Sequence, residues 1–212
     1  MPEIETNYAL ILAHEQQLAN RVASIVMEKP QISVWMFLFP FVLIPFMQRL
    51  QQYQGSLGLF SQGYLFTKTL AMDTARKVSA EGRSREEAIA DAAVLINRAA
   101  HAPQQASDSG YSDYKQRVRD KQIAEIELLT EHYASLLNAT GSTYPALVTN
   151  AYRSAENYNR FLTRLHEAEA QVNQASIRAY SAEVENLPNI IAKTEKALTT
   201  IRAKTGTGYF WG

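Results

Sequence analysis

The chain has 212 residues, of which 46% are apolar and 20% charged, and its 21 Lys+Arg balance 21 Asp+Glu to leave no formal net charge. Balanced charge with no long run of one sign lacks the field of a general nucleic-acid binder, so no nucleic-acid partner is expected. The absence of cysteine excludes disulfides, thiolate metal centres, iron–sulfur clusters and a cysteine nucleophile. Nine glycines and seven prolines among abundant Ala, Glu, Gln, Arg and Leu point to an all-α fold.

In chain order, residues 3–29 read as an amphipathic helix, because Ile4, Tyr8, Ile11, Leu18, Val22 and Ile25 recur at spacings of three, four and seven. Leu10, Leu12, Ala19 and Val26 widen that face, which implies more than one packing neighbour. His14 and Glu15 fall beside it and read first as the border of a solvated face; a proton-handling or ligating pair is the alternative.

The strongest local feature follows. From Ile32 to Met47 (ISVWMFLFPFVLIPFM) no residue is charged and only Ser33 is polar. As one helix this block would be about 24 Å long, short of the ~30 Å hydrocarbon core. Pro40 and Pro45 each remove a backbone donor and disfavour helical geometry just ahead of them, at Phe39 and Ile44. Three readings compete: a kinked single span, a hairpin entering and leaving one leaflet, and a buried core helix. A helix apolar all round needs a large surrounding core, whereas the other helices offer narrow, Ala-rich seams, so membrane insertion through Trp35, Phe37, Phe39, Pro40, Phe41, Ile44, Pro45 and Phe46 is expected. A secretory signal fits poorly, since no small-residue cleavage site follows. Arg49, Arg76 and Lys77 downstream suit lipid headgroups, and the positive-inside rule places the main helical body in the cytoplasm. Residues 51–66 mix glycines with Leu and Phe and read as an interfacial segment or a loop with a short helix, with Tyr53 and Tyr64 at headgroup level.

Thr67 to Ala80 reads as helix and Gly82 breaks it. Ser84 and Glu87 have capping-box spacing ahead of a helix from Arg85 to Ala100. Residues 101–112 (HAPQQASDSGYS) form the clearest linker. Beyond it, Ile126, Leu129, Tyr133, Leu136 and Thr140 alternate at three and four. A second series from Leu147 through Ala151, Ser154, Tyr158, Phe161, Leu165, Ala168, Val172, Ala175 and Ala179 to Ala182 keeps a seven-residue repeat. These predict a long Ala-rich antiparallel hairpin with arms 113–140 and 144–186, turning at Gly141 to Pro145, and a terminal helix after Pro188. Lys115, Arg117, Arg119 and Lys121 alternate near its start and read as a solvated face.

No chemistry-bearing motif appears. A di-iron bundle asks for Glu-x-x-His, which is absent, and about 21 Å of helix axis separates His132 from His166 in such a hairpin; no metal site or cofactor is expected. Nucleophile-elbow and phosphate-cradling motifs are also missing. The tail Tyr209, Phe210, Trp211 suits docking, into a partner or back onto its own bundle.

The expected organisation is therefore an N-terminal amphipathic helix (1–31), an apolar membrane element with its interfacial segment (32–66), a helical connector (67–102), a linker (103–112), a long hairpin with terminal helix (113–205) and an aromatic tail (206–212). The expected function is a non-catalytic, membrane-anchored scaffold or accessory subunit. Its partners would be a lipid bilayer and a protein, or a second copy, bound through the long helices and tail. A bundle that binds a lipid, quinone or other hydrophobic cofactor, with Trp35, the Phe cluster and His14 lining the site, is the first alternative. A membrane-bound enzyme on lipid-linked substrates, with Glu15 or His14 as base, is the second.

Overall fold

The computed structural model describes residues 2–26, 56–100, 109–181, 187–206 and 208–210. Among them are seven α-helices, one short 3-10 turn and no strand, so the all-α expectation holds. The helices are α1 (Pro2–Val26), α2 (Ser56–Glu81), α3 (Arg85–Ala100), α4 (Ser109–Leu137), α5 (Tyr144–Tyr152), α6 (Ala155–Tyr180) and α7 (Leu187–Gly206), and the turn is Gly208–Phe210. The apolar block, and with it Trp35, Phe37, Phe39, Pro40, Phe41, Ile44, Pro45, Phe46 and Arg49, lies outside the described residues. No helix among the described residues is long and apolar enough to cross a membrane.

Glu3 and Glu5 in the first turn of α1 suit its positive end. The helix runs antiparallel to α2, as the Tyr8 hydroxyl donates to Asp73 at 2.8 Å and Arg76 meets Glu5 at 3.4 Å. It is antiparallel to α4 as well, because the buried Asn7 amide donates to the carbonyls of Leu137 (3.0 Å) and Ala139 (2.8 Å) at the far end of α4. Two apolar clusters result. Ile11, Met72, Ile126, Leu129, Tyr133, Leu147 and Phe161 fill one; Leu18, Val22, Tyr64, Val118, Tyr180, Leu187 and Ile191 fill the other. α1 reaches α2, α4, α5 and α7, which explains its widened apolar face.

Several expected boundaries shift. α2 starts at Ser56 and continues through Gly58 and Gly63, so residues 56–66 are continuous helix and not a loop with a short helix. Tyr64, expected at a lipid headgroup, is 8% exposed and belongs to the interior. Gly82 ends the α2–α3 corner at φ +67°, where a side chain would be strained, and the Ser84 hydroxyl accepts from the Glu87 amide at 3.2 Å, as capping spacing requires. The last residues of the expected linker, from Ser109, already belong to α4.

α4 and α6 lie antiparallel, tied by Lys121 to Gln171 (3.0 Å) and by Arg164 to Glu131 (3.9 Å). The return arm is not one helix. Thr143 caps α5 by accepting from the Ala146 amide, Arg153 then takes a left-handed conformation (φ 63°), and the Ser154 hydroxyl accepts from the Asn157 amide to start α6. The seven-residue repeat passes through Ser154 without marking the break, because a serine fits both a narrow seam and an N-cap. Gly141 cannot be enlarged freely, since a Cβ there would sit 3.0 Å from the Ala146 Cβ and the Leu147 nitrogen. Ser154→Ala should cost about 1 kcal/mol, read as a lower urea midpoint at unchanged slope; an unshifted midpoint would mean that the break is held by packing alone.

Candidate functional site

Most of the interior is aliphatic and aromatic, and one layer of it is charged. Lys68 of α2 is 3% exposed, and Glu15 of α1 and Glu125 of α4 are buried too. Glu169 of α6 and Arg202 of α7 complete the group. Arg202 clasps Glu169 bidentately, at 2.6 and 2.7 Å, the strongest geometry available to this pair. Burial works against charge on Glu169, yet the Arg202 guanidinium and its hydrogen bonds hold that carboxyl down at about 2. Lys68 reaches the same carboxylate only at 3.6 Å and lies 4.8 Å above the Tyr64 ring. Burial opposes its charge, but Tyr64, Glu15 and Glu169 together hold the ammonium above its ordinary range.

Glu125 has no such clasp. Burial, reinforced by Glu169, pushes its carboxyl up to about 7. Glu15 Oε2 is buried and makes no hydrogen bond among the described residues, an arrangement that costs free energy unless something else supplies a donor. Tyr133, fully buried nearby, is raised well above its usual value by burial first and by the Glu15 carboxylate after it.

Glu15, Lys68 and Arg202 open onto a cavity of about 430 Å³ bounded by α1, α2, α4, α5, α6 and α7, a size within the range of small-molecule sites. Its other wall is aromatic. His14 stacks on Tyr144 with ring centres 3.6 Å apart, and Tyr209 meets that pair edge-on. Tyr158 and Phe161 continue the wall. Phe161 stacks at 4.1 Å on His132, whose Nδ1 is hydrogen-bonded to the Tyr152 hydroxyl at 2.7 Å. Burial, with Lys68, His14 and Arg202 adding to it, drives the His132 imidazole down to about 3, and burial lowers His14 as well. Both rings are neutral near pH 7, so they act here as flat surfaces and hydrogen-bonding groups.

The residues singled out by sequence distribute unevenly around this site. His14 and Glu15 line the cavity and are no solvated border, because α1 has neighbours on several sides. Tyr209 and Phe210 fold back onto the bundle: Thr149 donates to the Tyr209 carbonyl at 3.0 Å, and Tyr158 packs against both rings. Trp211 lies outside the described residues. Arg76 and Lys77 are elsewhere, at the Glu81 end of α2, beside Glu5 (3.4 Å) and Asp91 (3.8 Å). Among the described residues no cluster of three or more His, Asp or Glu is arranged to hold a metal.

Lys68, Glu125, Glu169 and Arg202 escaped the sequence reading. Three of them sit next to an apolar seam position, Glu125 beside Ile126, Glu169 beside Ala168 and Arg202 beside Ile201, whereas Lys68 lies between Thr67 and Thr69. An ionisable residue bordering a seam on several helices at once is the signal that could have found those three. No protein-family model matches this chain, and no curated protein or solved structure is detectably similar to it.

Proposed function

We propose that this protein is a non-catalytic helical module tethered to a membrane from one side by Ile32–Met47, working as a scaffold or accessory subunit whose body stays in one aqueous compartment. The observation that carries this is the antiparallel pairing of α1 and α2. Residue 5 faces residue 76 and residue 8 faces residue 73, so Val26 and Ser56, the described ends on either side of the block, lie at the same end of the bundle. A single crossing would strand α1 across the bilayer from the helices it packs on. Two crossings need about 40 residues, more than residues 27–55 provide. Insertion into one leaflet meets both constraints. Arg76 and Lys77 lie roughly 30 Å along α2 from Ser56, so an upright bundle gives them no headgroup contact. Support for assembly comes from α3, which turns Val94 and Leu95 outward at 47% and 44% exposure.

The absence of native cysteine makes the test clean. Full-length protein should float with phospholipid vesicles and release after Phe39→Asp with Phe41→Asp. Single cysteines at Glu3 and Glu81, both exposed, should react alike with an impermeant maleimide added outside. Protection of one but not the other would sink the one-sided tether.

A second reading, in which the bundle carries a ligand, is favoured by the cavity. A lipid tail or an unadorned quinone suits an apolar lining, whereas Glu15, Lys68 and Arg202 here demand polar groups on the guest.

A further inference from the structure

We infer that the interior cavity binds a small zwitterion bearing an aromatic ring, the class of the aromatic α-amino acids, with its ammonium on Glu15, its carboxylate on Lys68 and its ring against Tyr144, Tyr158 and Phe161. This rests on the ligand-binding reading just given and goes beyond it by fixing the guest's chemistry.

The charges decide the polar end. Glu169 already has a bidentate partner in Arg202, which leaves Lys68 with a 3.6 Å approach and three N–H donors to place. Glu15 Oε2 makes no hydrogen bond within 3.5 Å among the described residues, and the Tyr133 hydroxyl beside it is a neutral donor that leaves its charge unanswered. No ion pair within 4 Å joins Glu15 to Lys68 among the described residues, although they line one cavity. A cation alone would satisfy Glu15 and be repelled by Lys68 and by Arg21, which also lines the cavity; an anion alone would meet the converse. A guest holding both signs a few ångströms apart answers each without leaving a buried charge uncompensated.

The wall decides the rest of the guest. The stacked His14–Tyr144 pair, Tyr158, Phe161 and the edge of Tyr209 form a nearly continuous aromatic surface. Such surfaces favour a flat ring in offset or edge contact over a flexible chain. The volume of about 430 Å³ accommodates a molecule of that size and excludes a whole lipid.

Titration calorimetry on the full-length protein with L-phenylalanine, phenethylamine and phenylacetate tests this. L-Phenylalanine should bind with Kd below about 1 mM, and each compound lacking one charged end should bind about tenfold or more weakly, the factor expected for one charge-assisted hydrogen bond. Glu15→Gln should weaken phenylalanine and phenethylamine but spare phenylacetate, and Lys68→Met should weaken phenylalanine and phenylacetate but spare phenethylamine. Leu162→Trp, at a partly exposed position of the cavity wall, should abolish binding by filling the space while the far-UV spectrum stays helical; it keeps the test decisive if either charge variant fails to fold. Equal binding of all three compounds, binding that survives Leu162→Trp, or no binding at all overturns the proposal. Native mass spectrometry of the purified protein separates the two levels. A different retained molecule, lost in Leu162→Trp, would leave the cavity a ligand site and refute the aromatic zwitterion, whereas a protein that retains nothing and binds none of the three compounds by calorimetry refutes both.

Discussion

Replacing Arg202 by methionine should destabilise the bundle by about 3–5 kcal/mol, the range for a buried ion pair broken on one side. Arg202 and Glu169 are 13% and 12% exposed at the side chain. Removing the guanidinium would leave the Glu169 carboxylate facing Lys68 at 3.6 Å and little else. The double change Arg202→Met with Glu169→Leu should recover only part of that loss, because an apolar pair avoids the desolvation of both ions but strips buried Lys68 of its 3.6 Å partner; adding Lys68→Met should recover most of the rest. Urea unfolding followed by circular dichroism gives all three numbers. If the triple variant with Lys68→Met is no better than the single, the loss comes from the Arg202 stem packed against α6 and not from an orphaned charge. A stable triple variant would also show that these charges are retained for something other than stability, and the cavity beside them is the nearest place to look.

The helices were legible because their causes are local. Apolar spacing in α1, the Ser84 cap of α3, the Pro188 start of α7 and the seam from Tyr158 to Ala179 can each be read from a few neighbouring residues. The break at Arg153 was not, since a left-handed arginine is set by how α5 must turn across the end of α4 and α6, and Ser154 satisfies either outcome. The site was legible only in part. His14 and Glu15 stood out by type, but their burial depends on α5 and α7 closing over α1, which no spacing within α1 reports. Lys68, Glu125, Glu169 and Arg202 come from four helices distant in sequence, and only the assembled bundle makes them a group. Tyr64 differs for the same reason: an aromatic near an apolar block suits a membrane surface by composition, while residues of other helices, among them Leu18, Val22, Val118 and Leu187, gather it into the core.

The same buried layer dictates an unusual dependence of stability on pH. His132 titrates at about 3 in the fold against 6.5 in an unfolded chain, so the unfolded state binds the extra proton and stability climbs as pH rises from about 3 to 6.5. Glu169, held at about 2 against 4.5, adds a climb between those values. Glu125 has the opposite sign. Its folded value of about 7 lies above 4.5, so the folded state keeps a proton that the unfolded state has released, and stability falls as pH rises from 4.5 to 7. One proton contributes about 1.4 kcal/mol per pH unit. Stability from these groups should therefore rise steeply to about pH 4.5, stay nearly level to pH 6.5 while His132 and Glu125 oppose each other, and then decline slightly. Glu125→Gln removes the opposing slope, so its stability should go on climbing by about 1 kcal/mol per pH unit through the level region and end roughly 2–3 kcal/mol above the wild-type trend by pH 7. His132→Phe, which keeps the stack on Phe161, should instead expose the fall. Urea midpoints at half-unit steps from pH 4 to 7.5 measure all three curves. Parallel wild-type and Glu125→Gln curves would mean that Glu125 is ionised in the fold, with its charge answered by a group other than those packed around it here.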